Sequence, residues 1–383
     1  MTSQVEGGNL VIFFDERVDT KNAAEVEAAI KKFVAANPAL NLEFDAENLE
    51  YISSIGLRIL LKFRKLAKKN LVVRNVSKDV AEVFEVSGFN SFFDVQKKMR
   101  RISVDGLEQI GRGTSGVVYR LDAENILKVY NELWTLADVQ LERANSQQAF
   151  MIGIDTAIAY DVVRVGENFG IVYELLNAVA LDKIFVENPA EIEPYTKKFV
   201  EFVKKQHEIE FDGTSGRQRR IEACKQVTAV DDETREIMAK ILAGVPERRN
   251  FSHGDLNLSN VILQGGDFLL IDMGEISCGH PIFDVSWLYF MYEIRRRMMI
   301  KFNKKSTRGP AVMPEIFWQT FAREFFNTTD AATLAHFERE IFPFALIQVL
   351  IATIKRPLPP PAIEFYQTEL KRAWAKGVAP LDF

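Results

Sequence analysis

Between residues 253 and 284 the chain reads HGDLNLSNVILQGGDFLLIDMGEISCGHPIFD. Asp255 and Asn260 stand five positions apart, and Asp272 follows the apolar run FLLI. Phosphoryl transfer needs one side chain to orient an acceptor hydroxyl and oxygen ligands to hold Mg2+ against a triphosphate. Asp255 suits the first task, and Asn260 with Asp272 the second. An Asp-Asn pair alone is ordinary turn chemistry. Here the loop is bracketed by strand-like segments, and the second Asp stands at a strand end. His253 reads as a brace for the loop, and Asp284 as a helix N-cap or a structural brace behind it.

A triphosphate also needs a cradle. Upstream, IGRGTSGVVYRLDAENILKVY carries Gly111, Gly113 and Gly116 in a GxGxxG pattern. A dinucleotide-binding turn of that pattern must open a helix. The residues after Gly116 are β-branched and aromatic, so the glycines should join two strands and form a hairpin over phosphates. Lys128 lies in the next strand with apolar neighbours on both sides. Such a lysine either snorkels to solvent or reaches a phosphate. It needs an anionic partner, for which Glu142 on a following helix is favoured and Glu132 competes. The strand ending in Tyr173 and Glu174 opens a loop, YELLNA, whose backbone could meet an adenine ring; a plain strand end is the other reading.

The elements that would position these groups alternate along the chain. Residues 9–14 and 40–49 read as strands, with a helix over 22–36 between them. A helix over 54–69, a strand over 71–76 and a helix over 78–86 follow. This alternation predicts an α/β unit with a layered sheet over 1–97. A polar, basic join covers 98–106. From 107 to 383 the pattern becomes strand-turn-strand and then long helices, giving a small lobe over 107–175 and a helical lobe over 176–383. KRPLPPP (355–361) interrupts the last helices.

Composition bounds the partners. The 383 residues are 47% hydrophobic and 26% charged with a net charge of −5. That balance gives no general attraction to nucleic acid or anionic membrane. The longest apolar runs are too short to span a bilayer. Two cysteines, Cys224 and Cys278, make no disulfide framework and no metal site. With no basic-then-apolar segment at the N-terminus, the expected location is the cytoplasm. The stretch IRRRMMIKFNKK (294–305) reads first as a solvated helix face. His207 and His336 read as surface or packing residues.

HGDLNLSN followed by LLIDMG, with Asp284 twelve positions beyond Asp272, resembles the aminoglycoside/choline phosphotransferase branch of the protein-kinase-like fold. The resemblance covers roughly residues 107–375. It implies a two-lobed α+β kinase fold with ATP in the cleft and Mg2+ as cofactor. It further implies that Lys128 holds nucleotide phosphates, Asp255 is the catalytic base, and Asn260 and Asp272 bind metal. The acceptor it implies is a hydroxyl, usually of a small molecule and in some members of a protein. Met273 stands where this branch often has Trp.

Residues 1–97 resemble the STAS domain of anti-sigma-factor antagonists, through the strand-helix order and LEFDAENLEYISSIGLRILL (42–61). Some members of that family are switched by phosphorylation of a serine that corresponds to Ser54. The family's preceding aspartate is here Ser53. Alternatively, Ser53 or Ser54 does no more than cap the helix. Three functions stay open: a small-molecule kinase with a sensing or docking module, a regulatory protein kinase acting on Ser54 or on an anti-sigma-type partner, and a nucleotide-binding pseudokinase.

Overall fold

A computed structural model describes residues 1–65, 71–301 and 312–378. Residues 66–69 of the expected second helix and 302–305 of the basic stretch lie outside the described residues. The chain divides into two compact units, Met1–Ile102 and Ser103–Phe383.

The first unit contains β1 (Thr2–Glu6), β2 (Asn9–Phe13), β3 (Arg17–Val18), α1 (Ala23–Ala36), β4 (Asn41–Asp45), β5 (Tyr51–Ile52), α2 (Ser54–Arg64), β6 (Leu71–Val76), α3 (Lys78–Val86) and β7 (Phe93–Lys97). Among the described residues its main sheet has the order β1-β2-β4-β6-β7. The pairs from β2 onward are parallel, so helices must carry the chain back between strands. The core is built from Ile12, Phe14, Ile30, Phe44, Leu60 and Phe84. β1 escaped the sequence reading. It pairs antiparallel with β2 through Gly7-Gly8, both at positive φ (55° and 83°). A two-residue glycine turn of this kind is a hairpin signal.

The second unit begins with a sheet whose order is β11-β12-β10-β9-β8: β8 (Gln109–Arg112), β9 (Gly116–Arg120), β10 (Asn125–Tyr130), β11 (Ala159–Val165) and β12 (Asn168–Glu174). Every pair in it is antiparallel. α4 (Leu136–Met151) enters between β10 and β11 behind a capping box formed by Thr135 and Asp138.

The helical lobe follows with β13 (Val179–Ala180), α5 (Leu181–Glu187), α6 (Ile192–Gln206), α7 (Gly216–Cys224) and α8 (Asp232–Ala243). Four short strands frame the chemistry-bearing segment: β14 (Phe251–Ser252), β15 (Val261–Gln264), β16 (Asp267–Leu270) and β17 (Ser277–Cys278). The lobe closes with α9 (Ile282–Tyr289), a π-turn at Phe290–Ile294, α10 (Arg295–Lys301), α11 (Val312–Phe325), α12 (Ala331–Ala352) and α13 (Pro360–Ala375). Its core gathers Phe199, Phe251, Leu258, Phe283, Phe317 and Trp318. No helix among the described residues is long and apolar enough to cross a membrane.

The glycines join two strands and open no helix. Gly113 N–H donates to Gly116 O at 2.9 Å, closing the hairpin between β8 and β9. A Cβ on Gly116 would sit 1.9 Å from the Val129 carbonyl oxygen, while one on Gly113 meets nothing within 4 Å. Backbone atoms of a paired strand cannot swing aside. Gly116→Ala should therefore cost about 1–3 kcal/mol or more, and Gly113→Ala little, in denaturant unfolding of the two variants beside the wild type.

Candidate active site

β10 delivers Lys128, α4 delivers Glu142, and the turn after β16 delivers Asp272. Lys128 Nζ donates to Glu142 Oε1 at 2.7 Å and to Asp272 Oδ1 at 2.8 Å. Glu132 has no part in this arrangement. Burial acts to lower the Lys128 pKa, but Asp272 and Glu142 outweigh it and hold the ammonium above its usual range. Burial likewise pushes Asp272 up, and Lys128 outweighs it, so this carboxyl lies below the usual range.

Glu142 is fully buried, and its Oε1 also accepts from Tyr130 OH at 2.6 Å and Tyr173 OH at 3.1 Å. Burial and the neighbouring Glu142 raise both phenol pKa values well above normal, so both tyrosines act as donors. One turn along α4, Asn145 Nδ2 donates to the carbonyls of Met273 and Gly274, each at 3.2 Å. α4 is thus pinned to the sheet and to the turn that carries Asp272. Asp272 itself adopts φ 67°, ψ 60°, the left-handed region. For a residue other than glycine this costs on the order of 1–2 kcal/mol. Such strain persists where surrounding bonds fix it, here the Lys128 ion pair and the Asn145 bridge.

The loop between β14 and β15 carries Asp255 and Asn260. Asn260 Nδ2 donates to Asp255 O at 2.9 Å and Oδ2 at 3.3 Å. No donor among the described residues takes up the Asn260 Oδ1. Burial raises the Asp255 pKa first and the nearby Asp272 charge adds to it. Two carboxylates that repel each other, with a free amide oxygen beside them, suit a divalent cation. Among the described residues no group of three or more His, Cys, Asp or Glu is placed to hold a metal alone.

Behind the loop stands α9. Asp284 sits in its first turn, after Pro281 at the N-cap position, so it is a brace and not a cap. It accepts from His253 N–H at 3.0 Å, Gly254 N–H at 2.7 Å and His207 Nε2 at 2.9 Å. His207 is accordingly a buried partner of Asp284 and not a surface residue. His253 braces the loop from the other side, its Nε2 lying 3.0 Å from Ile271 O. Gly254 has φ 80°, and a Cβ there would lie 2.2 Å from Glu275 O, so the position accepts only glycine. Trp287 Nε1 donates to Asp255 Oδ1 at 2.7 Å, and Leu258 N–H donates to Tyr292 OH at 2.8 Å.

The carboxylate of Glu174 accepts from Ile158 N–H at 3.1 Å. Its own N–H and that of Leu175 donate to Ile158 O and Glu124 O. The structure therefore places Glu174 at the strand end, with its side chain used inside the sheet. Ser54 belongs to the first unit. Ser53 is the N-cap of α2 and accepts from Gly56 N–H, which leaves Ser54 exposed as the first helical residue.

Residues 106–313 match the Phosphotransferase enzyme family. The chain belongs to that family. Residues 1–102 match the STAS domain. A candidate anti-sigma factor antagonist of Bordetella bronchiseptica, BtrV, is 35% identical over 91 residues, which span 23% of this chain and 78% of that protein. This phosphotransferase thus combines an α/β STAS unit with a two-lobed α+β unit of protein-kinase-like fold. Among solved structures it is similar to the ADP-bound aminoglycoside phosphotransferase APH(2'')-Ib, with TM-score 0.46 and 14% identity over 76% of this chain and 97% of that one. A choline/ethanolamine kinase family protein from Mesorhizobium loti gives TM-score 0.41 and 14% identity over 72% and 88%.

Asp284 couples the candidate site to stability. Burial pushes its carboxyl up, but the bonds from His207 and Gly254 N–H, with the nearby imidazoles of His207 and His253, together outweigh burial and hold it below the usual range. A depressed folded-state value means that the ionised group stabilises above the unfolded-state pKa of about 3.9, and that this contribution fades as pH falls through the folded value. Asp284→Asn should lower stability by about 3 kcal/mol at neutral pH and should flatten the acid limb. Urea unfolding of both proteins across the acid range checks the sign.

Proposed function

We propose that this phosphotransferase moves the γ-phosphoryl group of Mg-ATP to a hydroxyl, in the first instance that of a small molecule. The observation that supports it most is the bridge from Glu142 through Lys128 to Asp272, with the Asp255 carboxylate opposite. In this reading the loop of Gly111, Gly113 and Gly116 lies over the phosphates, and Lys128 neutralises them. Glu174 marks the strand end against which adenine would lie. Asn260 Oδ1 and the Asp272 carboxylate would hold Mg2+. Bound there, the ion would offset charge developing on the transferred group. Asp255 orients the acceptor hydroxyl and takes its proton. Its raised pKa suits a base that must hold a proton through the transfer. Positioning and electrostatics supply most of the rate.

A second reading, regulatory phosphorylation, is favoured by one observation. Ser53 does the capping, so the Ser54 hydroxyl is exposed and free to be modified. The acceptor would then be Ser54 itself or an anti-sigma-type partner protein. A pseudokinase is disfavoured because Lys128, Asp255, Asn260 and Asp272 are all in place. Cys224 and Cys278 are free thiols, which suits a reducing compartment, and we place the protein in the cytoplasm.

Asp255→Asn should lower turnover at least about a hundredfold and leave Mg-nucleotide affinity near that of the wild type. Calorimetric titration with nucleotide, with intact-mass and peptide mapping after incubation in Mg-ATP, checks both statements. Phosphate found on Ser54 in the wild type alone supports the regulatory reading. Undiminished turnover in the variant removes Asp255 from the mechanism.

A further inference from the structure

The two oxygens of the Asp255 carboxylate stand in unlike surroundings. Oδ1 accepts from the indole Nε1 of Trp287 at 2.7 Å, with Asn257 Nδ2 farther off at 3.4 Å. Among the described residues Oδ2 has only the long contact from Asn260 Nδ2 at 3.3 Å. An indole N–H donates and never accepts, so it cannot take a proton from the carboxylate or exchange roles with it. The indole is itself held in place. It stacks on Phe290 with centroids 5.5 Å apart and planes 14° from parallel, and Phe290 packs edge-on against Tyr366 at 5.8 Å.

We propose that Trp287 is a positioning residue that differentiates the two oxygens: the indole ties down Oδ1 and leaves Oδ2 to face the acceptor. The inference rests on reading Asp255 as the base. In the transfer, the acceptor oxygen forms a bond to the γ-phosphorus as the bond to the leaving nucleoside diphosphate breaks, and the diphosphate keeps that electron pair. The acceptor O–H bond breaks, and its proton goes to Oδ2. A carboxylate free to rotate would present either oxygen, or neither, at the angle this needs. Trp287 touches no reacting atom and acts only through Asp255.

Trp287→Phe keeps an aromatic ring on Phe290 and removes the N–H. With Mg-ATP alone and water as acceptor, phosphate release should fall on the order of tenfold or more. The Mg-ATP dissociation constant and the melting temperature should hold. A merely structural role would move those two instead, and that outcome, or unchanged phosphate release, overturns the proposal. The bond has its own readout that needs no turnover. The chain has 4 tryptophans, and the indole N–H resonance absent from Trp287→Phe identifies Trp287. In Asp255→Ala that resonance should move upfield while the other indole signals stay; no movement also overturns the proposal. Where the wild type binds Mg-ATP but releases no phosphate to water, the indole resonance in Asp255→Ala decides the proposal, and its failure to move overturns it. Failure to bind nucleotide at all refutes the wider functional reading, and the indole signal still decides the bond.

Discussion

Lys128 carries its charge to a place where only 13% of its side chain meets solvent. A charge so placed must find opposite charges near enough to offset lost hydration. Glu142 and Asp272 do this from different elements, so one ammonium fixes β10, α4 and the turn after β16 against each other. The arrangement is uneven at Glu142. Oε1 accepts from three donors, while Oε2 is buried without a hydrogen-bond partner among the described residues. A Cβ on Gly274 would come 3.1 Å from that oxygen. The carboxylate is therefore anchored on one side and pressed against the turn on the other. Removing one member of such a set leaves an uncompensated buried charge, which costs about 3–5 kcal/mol. Tyr130 and Tyr173 lessen the burden on Glu142 with neutral donors, which carry no desolvation cost of a second cation.

The loop that carries Asp255 depends on that first set for its opposite wall and on α9 for its own shape. Asp284 and Trp287 are three positions apart and share a helix face. An uninterrupted α-helix would next bring residue 291 to that face. The π-turn at Phe290–Ile294 adds a residue, and Tyr292 is the side chain that meets the Leu258 N–H. A π-turn is costly and recurs where a helix must re-aim a functional side chain. Here it lets one helix fasten the loop at His253 and Gly254, at Asp255, and at Leu258. The loop needs this because its glycine at φ 80° and its short strands give it little regularity of its own.

These two sets differ in how well they show in the sequence. Lys128, Asp255, Asn260 and Asp272 stand out because the proposed phosphoryl transfer calls for those residue types in that order. Tyr130 was half legible: it lies two residues after Lys128 on one strand, hence on the same face. Tyr173 joins that face only through its pairing opposite Ile126, a register the sequence does not print. Trp287 was hidden for a different reason. α9 reads IFDVSWLY and is buried nearly all round, so no polar stripe distinguishes one face from another. His207 looked like surface or packing because its partner, Asp284, is 77 residues away. β1 went unread although its Gly7-Gly8 turn was in view.

The STAS unit poses a smaller problem in the same terms. α2 starts in tight contact with its surroundings: a Cβ on Gly56 would lie 2.7 Å from Ile52 Cγ1 and 2.9 Å from Val18 O. The helix start therefore cannot shift to accommodate a new group, and any modification there must be tolerated where it stands. A phosphate on Ser54 would meet the positive end of the helix dipole. It would also meet no acidic side chain in the first turn of α2. With Ser53 in place of the family's aspartate, the neighbouring position adds no negative charge either. Electrostatics thus opposes a phosphate less here than beside an aspartate. A partner that reads Ser54 would accordingly sense charge on a fixed helix end, which is the simplest signal such a unit can present.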